Sequence, residues 1–183
     1  WSAFFFFLII SSFSTDGGDD WSQPLTVSPP STTRQLGCDI EVGPGGVVYV
    51  VWAHFSGLVS STEDSLGFAK STDGGVSWTS SVNNAVDING IFTHDLFNGF
   101  RANGVPRLAI DNTGGPRNGW IYVTTGEKDI APATDSADIC LCRSTNGGAT
   151  WTHTRINQDT PGNGKFQYFA DIDVLPDGSV VTA

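Results

Sequence analysis

Three arginines in the segments between predicted strands are the residues best suited to bind an acidic ligand. They are Arg34, Arg101 and Arg107. A planar guanidinium group holds a carboxylate through two parallel hydrogen bonds, so arginine is favoured wherever a carboxylate is recognised. Arg107 stands out because it opens a predicted strand, whereas the other two lie within connections. The arginines therefore predict a carboxylate-binding site, and the alternative interpretation is that they are solvated loop charges.

Other polar side chains in the same segments could supply acid–base or hydrogen-bonding groups. The leading candidates beside the arginines are His94, Asp95 and Tyr168. Further candidates on the same connections are His54, Glu63, Asp64, Glu127, Asp129, Asp135, Asp138 and Lys165. The acidic residues between 127 and 138 are hard oxygen ligands and leave calcium open, although their spacing matches no calcium loop. No Cys-x-x-Cys pair or zinc spacing occurs, so neither a metal site nor a cofactor is otherwise predicted.

A repeated pattern, Ser-Thr-Asp/Asn-Gly-Gly-x-x-Trp, indicates the elements that must position these residues. It occurs at 14–21, 71–78 and 144–151. Asp and Asn accept hydrogen bonds from backbone N–H groups about two residues on, and the glycine pair adopts positive φ without steric cost. Each copy is therefore predicted to be a hairpin turn, and we call the three copies the repeat hairpins. The residues expected to be structural are Ser14, Asp16, Gly18, Trp21, Ser71, Asp73, Gly75, Trp78, Ser144, Asn146, Gly148 and Trp151.

A second repeated element supplies the other strands. The segments 39–52 and 171–183 align, and 107–124 is a looser copy; each combines a short strand, a Pro/Gly turn and a β-branched strand. Together the two elements give units of four strands, A to D. The chain 1–183 is thus predicted to be one partial domain: a C–D hairpin at 1–28, whole units at 36–86 and 105–157, and an A–B hairpin at 170–183. Only 91–104 has any helical character.

The repeat hairpins resemble the Asp-box (BNR) motif, Ser/Thr-x-Asp-x-Gly-x-x-Trp, of sialidase-superfamily β-propellers. The run Asp39–Trp52 is in addition similar to segments of bacterial secreted sialidase-like proteins. The resemblance implies an all-β fold, namely a partial β-propeller, half of a six-bladed ring, with four-stranded antiparallel blades and Asp-box hairpins. Because propellers need four to eight blades to close, the chain is expected to be a fragment. The remaining blades would come from further sequence or from a second copy of the chain.

The same resemblance implies where a site would lie and what it would need. Sialidase-like active sites sit near the propeller axis, opposite the Asp-boxes, and use arginines, an acidic proton donor and a Tyr–Glu nucleophile pair. Sialidases thereby replace with tyrosine the carboxylate nucleophile of other retaining glycosidases. This chain lacks an Arg-Ile-Pro motif, and Val105-Pro106-Arg107 has proline and arginine in the reverse order. Whether it is an enzyme is therefore left open.

Charge and hydropathy exclude several partner classes. The formal net charge is −10 and only 15% of residues are charged, which argues against nucleic acid and anionic membranes. An acidic, lysine-poor surface is typical of a secreted or cell-surface protein. The apolar run Phe4–Ile10 is too short to span a bilayer, so no membrane insertion is expected. We predict that it forms strand C of the first hairpin; the alternative is a signal-peptide remnant.

The three cysteines, Cys38, Cys140 and Cys142, do not define a disulfide framework. Cys140 and Cys142 lie two apart on a predicted strand, so their side chains share one face and are poorly placed to bond to each other. One of them could reach Cys38, and free buried thiols are equally compatible with the sequence.

Strand parity places the candidate residues on one face of the domain. The A–B and C–D turns share one face, and the longer B–C connections (53–65 and 125–138) and D–A connections (83–104 and 158–169) share the other. Long loops on a rigid scaffold usually carry binding residues. The favoured function is therefore an extracellular sialidase-like module that recognises glycans or protein partners through these loops. The alternatives are a fragment of an exo-α-sialidase or related glycoside hydrolase, and a structural assembly subunit that uses exposed strand edges.

Overall fold

The computed structural model describes residues 7–30, 33–58, 62–92, 95–97, 100–132 and 135–183. Within these ranges the regular structure is β-strand, apart from a single 3-10 turn at Pro44–Gly46. The prediction of an all-β fold built from four-stranded antiparallel sheets is confirmed. No helix in the described ranges is long and apolar enough to cross a membrane.

A short hairpin and a four-stranded sheet form the first part of the chain. The hairpin strands are β1 (Ile10–Ser11) and β2 (Leu25–Thr26). The first sheet contains β3 (Gln35–Val42), β4 (Val48–His54), β5 (Ser65–Ser71) and β6 (Thr79–Asp87), in the order 3-4-5-6. Every neighbouring pair is antiparallel, and β3 carries a register shift between Leu36 and Asp39. The sheet spans residues 35–87, where the sequence predicted a whole unit at 36–86.

The second part of the chain repeats this arrangement after an inserted hairpin. The inserted strands are β7 (Asp95–Phe97) and β8 (Phe100–Arg101). The second sheet contains β9 (Arg107–Ile110), β10 (Ile121–Glu127), β11 (Asp138–Ser144) and β12 (Thr152–Arg155). A final antiparallel hairpin joins β13 (Ile172–Val174) to β14 (Val180–Thr182).

Apolar side chains pack each of these sheets against its neighbours along the chain. Because successive residues of a strand point to opposite faces, β4 directs Val50 and Trp52 toward the first hairpin and Tyr49 and Val51 toward the second sheet. The second sheet likewise packs Tyr122 against Ile172 of the last hairpin. The resulting core is a series of face-to-face sheet contacts, which holds the loop ends of the sheets in fixed relative positions.

The repeat hairpins share one hydrogen-bond pattern. In the middle copy the Ser71 hydroxyl donates to Asp73 and accepts from the N–H of Gly75, at 2.7 and 2.9 Å. Asp73 accepts from the N–H of Ser77 at 2.9 Å, four residues on rather than the two expected. The longer reach follows from the two glycines, both at positive φ, which widen the turn. Serine, rather than the carboxylate, satisfies the nearer N–H groups.

Two sequence-based expectations are wrong in detail. The segment 91–104, the one helical possibility, contains the β7–β8 hairpin instead. The Asn98-Gly99 dipeptide in this segment favours a hairpin turn over a helix. In the run Phe4–Ile10, residues 4–6 lie outside the described ranges, and strand structure begins only at Ile10. Ile9 packs against Val27, and its backbone carbonyl accepts the N–H of Val27 at 2.8 Å, so packing and a backbone hydrogen bond both hold this part of the run.

The cysteines are free thiols, which decides between the two possibilities left open by the sequence. Cys38 is exposed, whereas Cys140 and Cys142 are buried in β11. Both buried thiols lie on the same side of the strand, as their spacing predicts. Their surroundings are described below because they include ionisable groups.

Candidate functional site

The B–C and D–A connections meet at one end of the sheets, which we call the loop face. It comprises residues 27–30 and 33–34, 55–58 and 62–64, 88–92 with β7–β8 and 102–106, 128–132 and 135–137, and 156–171. Hydrogen bonds link these connections to one another: Asn89 binds the backbone of Lys128, and Gly162 binds Asp135. The loop face is therefore a continuous surface held together by side chains of the candidate set.

Glu63 is one of the side chains that hold the loop face together. It is only 1% exposed, and its two carboxylate oxygens accept the N–H groups of Phe92 and Gly104, each at 2.8 Å. Burial raises the pKa of this carboxyl group, although the hydrogen bonds and the nearby Arg34 oppose the increase. Glu63 positions the β6–β9 connection and has no exposed surface to offer a ligand.

Arg34 packs on aromatic rings. Its guanidinium carbon lies 3.8 Å from the centroid of the Phe55 ring and 4.9 Å from that of Phe92. These two rings are themselves in edge-to-face contact at 5.3 Å. A guanidinium over a ring face is stabilised by the ring quadrupole. Arg34 therefore covers the two aromatic rings in this part of the loop face through cation–π contacts.

The acidic connection between β10 and β11 is also engaged by protein donors. Glu127 pairs with His153 at 2.7 Å, and Asp138 pairs with Arg155 at 2.7 Å. Asp135 accepts the N–H groups of Gly162 and Gly164. Asp129 remains exposed, with a positive φ of 55°. The expectation of calcium here stays untested, and three of the four carboxylates already serve to order the loops.

His54 and Asp64 serve the neighbouring B–C connection in the same way. The His54 ring bridges Thr33 at 2.8 Å and Ser65 at 3.0 Å, and burial lowers the pKa of the imidazole. Asp64 accepts the N–H of Ser56 at 2.6 Å. Both side chains fix the path of the chain where β4 ends and β5 begins.

Of the two candidate arginines whose side chains the structure describes, Arg107 is the one left exposed beside a cavity. A pocket of about 330 Å³ is lined by Asn103, Val105, Arg107, Phe169 and Ala170. Phe169 is 55% exposed and meets the ring of Tyr168 edge-to-face at 5.4 Å. The structure therefore brings Arg107 next to an exposed aromatic pair, and we call this arrangement the Arg107 pocket.

The sequence singled out Tyr168 but missed Phe169. Phe169 has a φ of 60°, an uncommon conformation for a bulky residue, which is seen where surrounding structure over-determines the backbone. No local pattern announces such a conformation, because Asn, Asp and Gly are the usual residues at positive φ. The proximity of Tyr168 in sequence was the only available signal.

The remaining candidates lie elsewhere on the loop face or outside the described ranges. Asp95 and Arg101 occupy paired positions of β7 and β8. Lys165 is exposed in the β12–β13 connection. His94 falls outside the described residues.

Consecutive four-stranded antiparallel sheets packed face to face, with a hairpin at each end, form part of a β-propeller with a sialidase-like fold. One similar structure is a protein of unknown function from Dyadobacter fermentans, with a TM-score of 0.59 and 15% identity over 96% of this chain and 50% of that one. Another is the NanB sialidase from Streptococcus pneumoniae in complex with 2-[(3-chlorobenzyl)ammonio]ethanesulfonate, with a TM-score of 0.52 and 17% identity.

These similarities concern the fold alone, because the identities are low. The chain spans half the length of the Dyadobacter protein and 23% of that of the sialidase. No family model and no curated protein matches the chain.

Proposed function

We propose that the chain is part of an extracellular sialidase-like β-propeller module that binds carboxylate-bearing glycans at the Arg107 pocket. The observation that carries the proposal is the exposed guanidinium of Arg107 beside the exposed rings of Phe169 and Tyr168. An arginine binds a sugar carboxylate bidentately, and an aromatic ring offers an apolar surface to the sugar ring. The combination suits an acidic sugar better than a neutral one.

Because the chain is acidic, binding of an acidic ligand would depend on the contacts within the Arg107 pocket. With a formal charge of −10, the molecule as a whole repels anions at long range. An acidic ligand would therefore be held by short-range contacts at the pocket rather than by general attraction. Binding is expected to be weak to moderate and to depend strongly on the single guanidinium group.

The burial and hydrogen bonding of the acidic residues favour recognition without hydrolysis. Glu63, Glu127, Asp135 and Asp138 are buried and bind donors within the protein. Asp64 binds the N–H of Ser56, and Asp129 is the exposed acidic side chain in the described parts of the two B–C connections. An exo-sialidase activity would therefore need an acid and a Tyr–Glu pair from further blades.

The test is a titration of the protein with 3′-sialyllactose and with lactose, followed by calorimetry or by nuclear magnetic resonance. We expect saturable binding of the sialylated sugar and no comparable binding of lactose. Arg107→Gln should weaken the former at least about tenfold, because a charge-assisted hydrogen bond contributes about 1.5–3 kcal/mol. Lys165→Gln is the matched control, since it removes an exposed positive charge from the same face but outside the pocket.

Two outcomes would contradict the proposal. Equal affinity for the two sugars would show that the carboxylate is not recognised. Equal losses of affinity in Arg107→Gln and Lys165→Gln would show that binding depends on the overall charge and not on the pocket. Release of the aglycone from a fluorogenic sialoside would favour the exo-sialidase alternative instead. Fractionation of the producing cells tests the extracellular location independently.

A further inference from the structure

A cluster of three potential metal ligands lies on the face of the second sheet that packs toward the first. It consists of Glu127 at the end of β10, Cys142 in β11 and His153 in β12. A carboxylate oxygen, the Cys142 sulfur and a ring nitrogen of His153 all lie within 4.8 Å of one another. We call this group the thiol–imidazole cluster.

The strand register explains why these side chains meet. Cys142 and His153 are direct partners in the β11–β12 ladder, so their side chains project from the same side. Glu127 lies opposite Asp138, and its long side chain extends over β11 toward His153. Cys140 is buried two residues before Cys142 and lies on the same side of β11.

The cluster is preorganised by contacts outside it. The N–H of Asn89 donates to one Glu127 oxygen at 3.1 Å, which leaves the other oxygen 2.7 Å from Nε2 of His153. Glu127 and Cys142 are fully buried, whereas the His153 side chain is 30% exposed. The imidazole side thus provides a route for a small ion into an otherwise closed site.

We propose that the thiol–imidazole cluster binds a zinc ion through Glu127, Cys142 and His153, with water in the fourth position. Sulfur, imidazole nitrogen and carboxylate oxygen are the three donor types that zinc prefers, whereas calcium and magnesium require oxygen ligands. Tetrahedral zinc places neighbouring donor atoms about 3–4 Å apart, so side-chain rotations suffice to close the site from its present spacing.

The charge balance also favours a dication at this position. Zinc binds a cysteine as the thiolate, so binding requires the Cys142 thiol to lose its proton. The thiol proton passes to solvent, and His153 binds through Nε2 as a neutral imidazole whose hydrogen lies on Nδ1. The bound dication is then balanced by one thiolate and one carboxylate.

The experiment uses the chelator-treated chain, titrated with Zn²⁺ by calorimetry and with Co²⁺ by absorption spectroscopy. We expect one ion per chain, a thiolate-to-Co²⁺ charge-transfer band in the near ultraviolet, and a higher melting temperature with Zn²⁺ present. Cys142→Ala and His153→Asn should each weaken binding more than about tenfold, because loss of a direct ligand exceeds the usual effect of an outer contact.

Cys38→Ala is the matched control, because it removes the exposed thiol in β3 and leaves the cluster intact. It should keep both the stoichiometry and the Co²⁺ band. A band that survives Cys142→Ala, or one that disappears with Cys38→Ala, would overturn the proposal. So would wild-type protein whose melting temperature and spectrum do not respond to either metal.

Discussion

At the scale of single residues, two repeat hairpins use the same turn with different acceptors. Asp73 accepts the N–H and the hydroxyl of Ser77, and these bonds with the Ser71 hydroxyl lower the pKa of Asp73 to about 2. Asn146 occupies the equivalent position and accepts the N–H of Thr150 at 2.9 Å, while its amide donates to the Thr150 hydroxyl at 2.8 Å. One turn therefore contains a titrating acceptor and the other does not.

The difference predicts that acid destabilises the hairpin at Asp73 but not that at Asn146. Because folding lowers the pKa of Asp73 from 3.8 to about 2, its contribution is complete above pH 3.8 and disappears as the pH falls toward 2. Asp73→Asn should fold normally at neutral pH and lose less stability than the wild type as the pH falls. Thermal unfolding measured at several pH values tests this.

Asn146→Asp is the complementary variant, because it converts the neutral hairpin into the titrating form. We expect it to increase the loss of stability in the same acid range. If both variants follow the wild-type profile, the hydrogen bonds of Asp73 do not contribute to stability.

At the scale of elements, the tryptophans of the repeat hairpins connect neighbouring sheets. Trp151 packs edge-to-face on Phe68 of the first sheet, with ring centroids 5.4 Å apart. Trp78 packs on the apolar cluster of the first hairpin and donates its Nε1–H to the hydroxyl of Ser11 at 3.0 Å. Trp21 is 63% exposed. The same residue type thus has different surroundings at its three positions.

These surroundings predict unequal costs of truncation. Trp151→Ala should lower the free energy of unfolding by about 3 kcal/mol, the lower end for buried aromatic side chains, because Trp151 is only partly buried. Trp21→Ala should change the stability of this chain by less than about 0.5 kcal/mol. Urea unfolding of both variants is the measurement, and similar losses would show that the ring contact with Phe68 is not stabilising.

The buried carboxylate of Glu63 predicts how the loop face is kept in place. Glu63→Gln puts an amide NH₂ group against one of the two N–H donors, at Phe92 or Gly104, and should cost about 1–3 kcal/mol. Amide hydrogen exchange at Phe92 and Gly104 should accelerate, while the interior of β4 stays protected. Asp129→Asn, on the exposed acidic residue, should change neither quantity, and unchanged exchange in Glu63→Gln would contradict the assigned role.

The elements were easier to predict from sequence than the contacts between them. Turn residues and alternating apolar residues are local signals, so the repeats predicted the strand-rich units and their turns. Glu63 and Gly104, in contrast, are 41 residues apart, and nothing local shows that one accepts the N–H of the other. For this reason several acidic residues that suggested a site prove to hold loops. The thiol–imidazole cluster was missed likewise, since its residues come from three strands and meet only through register.

At the scale of the whole molecule, two of the tryptophans contact their neighbours at equivalent positions. Trp151 contacts Phe68, and Trp78 contacts Ser11; each partner lies three residues before the serine of the preceding repeat hairpin. The equivalent position in the second sheet is Leu141, which lines a cavity of about 660 Å³ with Trp120, Tyr122 and Val180. Leu141 therefore occupies the position, here called the host position, at which a further tryptophan would pack. Trp21 is largely exposed and has no equivalent contact in the described residues.

We therefore expect this surface to be covered by a further repeat hairpin, which continues the series of sheets toward a closed ring. The mass of the native polypeptide is the first measurement, because it shows whether the hairpin could come from the same chain. A longer native polypeptide could supply the hairpin from its own chain, and a native chain of this length that dimerises would supply it from a second copy.

A charge at the host position tests this expectation in either arrangement. Leu141→Glu should lower the melting temperature of the complete protein or dissociate the dimer, because it places a carboxylate in an apolar contact. Val76→Glu is the control, since Val76 is 54% exposed in a turn and a charge there stays in solvent. A native monomer of this length whose melting temperature does not change in Leu141→Glu would show that the series of sheets ends at the last hairpin. That result would contradict the expectation of a closed ring.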